Sequence, residues 1–436
     1  DGSITAWVND INKDGTISGS DHAYLYFGMG RGGRNIYAMD VTNRNSPKLL
    51  WTIKGGVDTG FTELGHTFSA PVKRKIRYSG SDLDVVIFGG GYDMDQDNLY
   101  VRTQDDIGRA IYIVNAKTGA LLWRGDINVT GLEEMKYSIP SDVAAVDVNG
   151  DGLIDRLYVG DMGGQLWRIY IDNDLARTSS NMDAIVTGYR LADLAGADAE
   201  SNRRFFYAPD VALMDGKSEA DYLAVVITSG NRSHPLNKQV QDRVFAIKDR
   251  PVKSKPTTNY VITENTTTHD LYDASINIWG ELSTATDAQK ETARAALTKG
   301  YGWFFDFTKL AGEKGLSRPL IIQGHVYFTT YTPPDASASS AAVCGVNEGT
   351  GWLYDVFVSN AVEGQKYSGQ IGPDGDKEAR LVALPKSGIP PEPKFMKPGC
   401  DPGTTCTTPG DCVVIGTTVR CLGEQQSKEK LYWFSR

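Results

Sequence analysis

The chain has 436 residues, 45 basic against 54 acidic, for a formal net charge of −9. An acidic chain without a basic block argues against nucleic acid as its main partner. No apolar run approaches the ~20 residues of a membrane-spanning helix, so no transmembrane segment is expected. A hydrophobic fraction of 40% is enough to fill a large core, while 47 glycines, 18 prolines and few helix-forming stretches point to strands and turns. A start at Asp1, with no signal peptide, predicts an excised or processed piece of something longer.

In chain order, the first feature is the loop Asp10-Ile-Asn12-Lys-Asp14-Gly15-Thr16-Ile-Ser18-Gly-Ser-Asp21. It places oxygen side chains at positions 1, 3, 5, 9 and 12 of a calcium-loop pattern, with glycine at 6 for the sharp bend. Thr16 would add its carbonyl and Asp21 the last carboxylate. Strand-like runs AYLYFGM, NIYAMDV and KLLWTIK follow over 23–54, with the opening strand of that unit absent or donated from elsewhere. Gly28-x-Gly30-x-x-Gly33 matches a dinucleotide fingerprint only in its letters. It leads into another strand, so no helix N-terminus seats a pyrophosphate, and it reads as a glycine-rich hairpin.

Pro71, Pro140 and Pro209 then recur at equal intervals of 69 residues. Each opens a similar series: a short strand, an acidic turn, a stronger strand (84–91, 156–161, 222–230) and a further strand (108–119, 163–172, 242–249). The first series adds LLWRGDI over 121–127. Fragments of the same unit return over 301–358 and 380–436. Units of roughly four short strands predict an all-β fold, a β-propeller of six to eight blades forming a single domain over 1–436.

Within these units, Asp93, Asp95 and Asp97 alternate without the glycine and read as a solvated loop. Arg124-Gly125-Asp126 matches an integrin-binding tripeptide, but set in a strand. NAKTGALLW (115–123) resembles the repeat of quinoprotein propellers. Those usually carry a vicinal cysteine pair, which is absent, so a quinone-dependent oxidoreductase is the weaker alternative and a non-enzyme is expected.

The strongest chemical signal is Asp147-Val-Asn149-Gly-Asp151-Gly152-Leu153-Ile-Asp155. Asp147, Asn149, Asp151 and Asp155 supply side-chain oxygens and Leu153 a carbonyl, which predicts calcium as the bound cofactor. Tyr158 stands at position 12, so the loop is not an EF-hand. Residues 250–300 read as an insertion between blades. It contains a helix over 286–299 that Thr286 and Gln289 cap and Gly300 stops. Cys344 stands alone, whereas Cys400, Cys406, Cys412 and Cys421 crowd a cysteine-rich loop over 398–423 of the last blade. Their spacing fits disulfides better than a zinc site, and so an extracytoplasmic protein.

Several blocks in order along nearly the whole chain carry a resemblance: GGRNIYAMDVT (32–42), FGGGYD (88–93), DVNGDGLIDRLYVGDMGGQLWRI (147–169), SGNRSHPL (229–236), HVYFTTYTP (325–333) and GIPPEPKF…VVIGTTVR (388–420). Together they resemble the C-terminal domain of the PilY/PilC family, the tip-associated proteins of bacterial type IV pili. The resemblance implies a modified propeller, seven blades favoured, with a calcium loop at Asp147 to Asp155. It also implies roles in pilus extension and retraction, twitching motility and adhesion. Its implied partners are pilus components such as minor pilins and a host or abiotic surface, at the pilus tip, outer membrane or surface of a Gram-negative cell. A host-receptor adhesin acting independently of pilus mechanics is the alternative.

Overall fold

The computed structural model describes residues 2–436 except 217–219, 253, 257–258, 265–269, 281–282, 308–310, 335–347, 365–379, 397–411 and 422–436. Strands far outnumber helices among the described residues, which fall into two compact units.

The first unit holds three sheets, each of four strands in sequential antiparallel order. They are β1 (Ile4–Asn9), β2 (His22–Gly28), β3 (Asn35–Asp40) and β4 (Lys48–Lys54); β5 (Val72–Tyr78), β6 (Ser81–Gly89), β7 (Ile111–Asn115) and β8 (Leu121–Gly125); and β9 (Ala144–Val146), β10 (Arg156–Gly160), β11 (Gln165–Ile171) and β12 (Val186–Asp193). A single helical turn, α1 (Met182–Ile185), leads into β12.

The middle sheet shows why its strands read as unbroken apolar runs. Successive residues of a strand point to opposite faces, and here both faces are covered. Val85, Ile87, Ile111 and Ile113 pack with Leu157, Val159, Trp167 and Ile169 of the third sheet. Val86, Phe88, Tyr112 and Val114 pack with Tyr26, Ile36, Ala38 and Trp51 of the first. Gly90 follows β6 where a Cβ would stand 2.2 Å from the Gly108 carbonyl oxygen, so only glycine lets the two backbones approach there.

The second unit holds the remaining sheets. One comprises β13 (Asp210–Met214), β14 (Tyr222–Thr228), β15 (Arg243–Asp249), β16 (Tyr272–Asp273) and β17 (Gly302–Asp306), in the order β13-β14-β15-β17-β16. The next comprises β18 (Lys314–Gly315), β19 (Leu320–Ile322), β20 (His325–Thr332), β21 (Thr350–Phe357) and β22 (Leu381–Ser387). The last comprises β23 (Lys394–Met396), β24 (Cys412–Ile415) and β25 (Thr418–Cys421). Phe305, Phe328 and Tyr354 join the first two of these sheets, and Tyr327, Leu353, Val413 and Ile415 the last two. Helix α2 (Asp287–Lys299) forms where the sequence places it, with the Thr286–Gln289 capping box closed at both ends.

The structure departs from the sequence reading at three places. The opening strand of the 23–54 unit is present as β1, which pairs with β2 along its whole length. Residues 302–306 close the sheet of β13–β15 by pairing with β15, so the 250–300 insertion lies inside one sheet and not between two. In the run at 93–97 Asp95 is exposed and Asp97 half-buried, as a solvated loop requires, but Asp93 is not solvated. Asp93, 5% exposed, caps the turn Met94–Asp97 and accepts N–H bonds from Asp95, Asp106 and Ile107. Cys344, and Cys400 and Cys406 of the cysteines expected to form disulfides, fall outside the described residues, as does most of 398–423.

Candidate metal centre

Both acidic loops occupy the same topological place, joining the first and second strands of a sheet: 10–21 between β1 and β2, and 147–155 between β9 and β10. Their hydrogen bonds also correspond. Asp147 accepts the N–H of Gly152 on Oδ2 and of Gly150 on Oδ1, each at 2.7 Å. Asn149 Oδ1 accepts from the N–H of Asp151 at 2.9 Å, and Asp151 Oδ1 from that of Leu153 at 2.9 Å. In the other loop Asp10 Oδ2 accepts from Gly15 at 2.8 Å, Asn12 Oδ1 from Asp14 at 3.2 Å, and Asp14 Oδ1 from Thr16 at 2.7 Å. The backbone turns left-handed at the fourth and sixth residues of each, with φ of 78° and 87° at Gly150 and Gly152 and of 57° and 79° at Lys13 and Gly15. Glycine makes this bend without strain; Lys13 holds it at a cost of roughly 1 kcal/mol.

The loops differ in which acid closes them. In the first, Asp21 Oδ1 accepts the N–H of Ile11 at 2.9 Å; in the other, Asp155 Oδ2 accepts that of Val148 at 2.8 Å. The twelfth residue of one loop therefore does what the ninth does in the other. Ser18, expected as a ligand at position 9, gives its backbone N–H to Asp21 Oδ2 at 3.0 Å. These N–H bonds from Ile11 and Ser18 hold the Asp21 carboxyl below its ordinary range. Burial raises that of Asp155, and the nearby charges of Asp151 and Asp147 push it the same way. The 147–155 loop thus concentrates negative charge that its own N–H groups only partly offset.

The end of this loop is fixed. Leu153 and Ile154 are buried at 2% and 4% exposure. The N–H of Ile154 donates to the Lys75 carbonyl at 3.0 Å, on β5 of the neighbouring sheet. Asn173, which no local pattern marks, donates to Asp155 Oδ1 at 3.2 Å.

Among the described residues, no three His, Cys, Asp or Glu side chains gather closely enough to hold a metal by themselves. In both loops the carboxylates face the loop's own N–H groups. The donors available around each bend are nonetheless all oxygen, as a hard divalent cation prefers, and each carboxylate oxygen keeps a further lone pair. The residues fit calcium if the asparagine amide and the position-7 carbonyl complete the set.

The other sequence candidates have structural roles. Arg124 Nε pairs with Asp126 Oδ2 at 2.8 Å, and its Nη2 with Glu63 Oε2 at 2.8 Å. Asp126 is 7% exposed and also accepts the N–H of Asn128, so the tripeptide faces inward at the end of β8. Gly28 ends β2, and Gly30 and Gly33 lie in the connection from β2 to β3, a hairpin. No helix among the described residues is long and apolar enough to cross a membrane.

Comparison with known proteins gives these loops a setting. Residues 1–227 match the family model described as the PilY1 beta-propeller domain. The chain is 26% identical over 437 residues to a type IV pilus biogenesis factor PilY1 homolog of Xylella fastidiosa, covering 89% of this chain and 26% of the relative. It is 25% identical over 405 residues to type IV pilus biogenesis factor PilY1 of Pseudomonas aeruginosa, covering 83% of this chain and 33% of the relative. It therefore spans about a quarter to a third of the length of these relatives. The crystal structure of the Pseudomonas aeruginosa PilY1 C-terminal domain superposes with a TM-score of 0.61 at 18% identity, over 96% of this chain and 82% of that one, which shows a shared fold. By the match over more than half of its length, the chain belongs to the PilY1 family of type IV pilus biogenesis factors, through its β-propeller domain.

Proposed function

We propose that this chain is a non-enzymatic, calcium-binding propeller of a cell-surface, type IV pilus-associated protein, and that the 147–155 loop sets the balance between pilus extension and retraction. The observation that carries the reading is the charge held at that loop. Burial raises the Asp155 carboxyl and the charges of Asp151 and Asp147 push it the same way, on a loop pinned to two sheets by Ile154 and Asn173. Bound calcium would supply the positive charge that offsets this repulsion. Asp147, Asn149, Asp151 and Asp155 would hold it by side-chain oxygens and Leu153 by its carbonyl.

The protein's own contribution is to keep these groups in place. Gly150 and Gly152 make the bend, Leu153 and Ile154 anchor it in the core, and the link to β5 carries its state to the neighbouring sheet. Ordered, the loop presents a fixed rim for pilus components, with minor pilins as the proposed partners. Without the ion, the acids repel one another and the rim loosens. The 10–21 loop, with the same frame, is proposed as a second calcium site. The disulfide at Cys412 supports an oxidising compartment outside the cytosol. Adhesion to host or abiotic surfaces and twitching motility follow from displaying pili.

The test replaces Asp147 or Asp155 with alanine in the full-length protein and counts surface pili in calcium and in chelator. Fewer surface pili and weaker capture of minor pilins are expected, matching wild type in chelator. Unchanged calcium affinity in both variants rules out the site, and lost affinity with normal piliation rules out the switch.

A further inference from the structure

We propose that Asn173 is a positioning residue for the 147–155 loop: it orients the Asp155 carboxylate and stitches the loop to the neighbouring sheet. This rests on the reading of that loop as a calcium site. Asn173 lies just after β11 and is 8% exposed. Its amide is engaged on both sides. Oδ1 accepts the backbone N–H of Arg77 at 2.9 Å, and Nδ2 donates to the Ile154 carbonyl at 2.9 Å and to Asp155 Oδ1 at 3.2 Å. Val148 already occupies the other Asp155 oxygen at 2.8 Å, so both oxygens are directed and the carboxylate cannot turn freely.

The same contacts form a short seam between sheets. The N–H of Ile154 donates to the carbonyl of Lys75, and two residues further along β5 the N–H of Arg77 donates to Asn173. Asn173 thus extends the bonding of the β5 edge to the end of the loop. The task requires an acceptor and two donors at one short reach. Aspartate lacks the donors and would set a like charge beside Asp155; leucine lacks both functions.

A group that orients a ligand without touching the metal typically changes affinity by about tenfold to a hundredfold when removed. Asn173→Ala and Asn173→Ser are compared with wild type, all carrying Asp10→Ala to silence the other loop, by calcium titration calorimetry and by melting in calcium and in chelator. The expected result is a calcium Kd raised about tenfold or more, with the calcium-dependent rise in Tm reduced beyond any loss seen in chelator. If the alanine variant does not fold, the serine variant carries the same comparison. An equal fall in Tm under both conditions with an unchanged Kd means that Asn173 is structural only and overturns the proposal. Calcium binding that Asp147→Ala abolishes and Asn173→Ala leaves intact overturns this inference alone. A wild-type loop that binds no calcium overturns both it and the reading beneath it.

Discussion

The buried amine of Lys314 should make the stability of the fold rise with pH in alkaline solution. Lys314 is 1% exposed on β18, and its ammonium donates to the carbonyls of Pro235 at 3.0 Å, Asn237 at 2.8 Å and Gly312. These bonds gather residues 235–237 and Gly312 around a buried charge. Burial pushes the amine down from 10.5 to about 8, with Asp242 and Glu313 pulling the other way. Between those two values the unfolded chain holds a proton that the folded chain has lost, so stability rises with pH across that window. The slope is at most about 1.4 kcal/mol per pH unit, and the whole window is worth ~3 kcal/mol. Lys314→Met keeps the apolar stem and removes the titration. Urea unfolding of both proteins from pH 7 upward isolates the effect, because the other lysines and tyrosines cancel in the difference. Wild-type stability relative to the variant should be constant below about 8 and climb toward 10.5. A difference independent of pH would refute the reasoning.

Two further substitutions separate structural roles from recognition. Asp126→Ala leaves Arg124 Nε and the N–H of Asn128 without their acceptor and should cost ~2 kcal/mol in urea unfolding. It should leave binding to integrin-bearing cells unchanged; lost adhesion at wild-type stability would contradict the inward-facing placement. Asp93→Ala orphans three backbone N–H groups and should destabilise by roughly 2–3 kcal/mol. Hydrogen exchange should quicken at Asp106 and Ile107 first, and uniform exchange across the sheet would argue against a local pin.

Much of this architecture was legible in the sequence because the repeat is physical. Each proline of the 69-residue spacing precedes the first strand of a sheet, and runs such as VVIF and IYIV are apolar throughout because both faces of their sheet are covered. Strand β12 carries no such signal, because VTGYRLAD mixes polar and apolar residues without a strong period. The sheet of the strand at 302–306 is not legible locally, because a long connection separates it from its partner β15. The bends and acids of the candidate site were readable from local spacing, since Asx turns and left-handed glycines are short-range features. Asn173 was not, because it lies 18 residues from Asp155 and meets it only through pairing of β10 with β11. The burial of Asp93 is hidden for the same reason: its carboxylate meets the N–H groups of Asp106 and Ile107 only when the chain returns.

The most direct test of the calcium reading is stoichiometry, by equilibrium dialysis of the wild-type chain, Asp147→Ala, Asp10→Ala and the double variant. Two bound ions are predicted for wild type, one for each single variant and none for the double. A double variant that still binds as wild type does, or a wild type that binds none, would contradict the account.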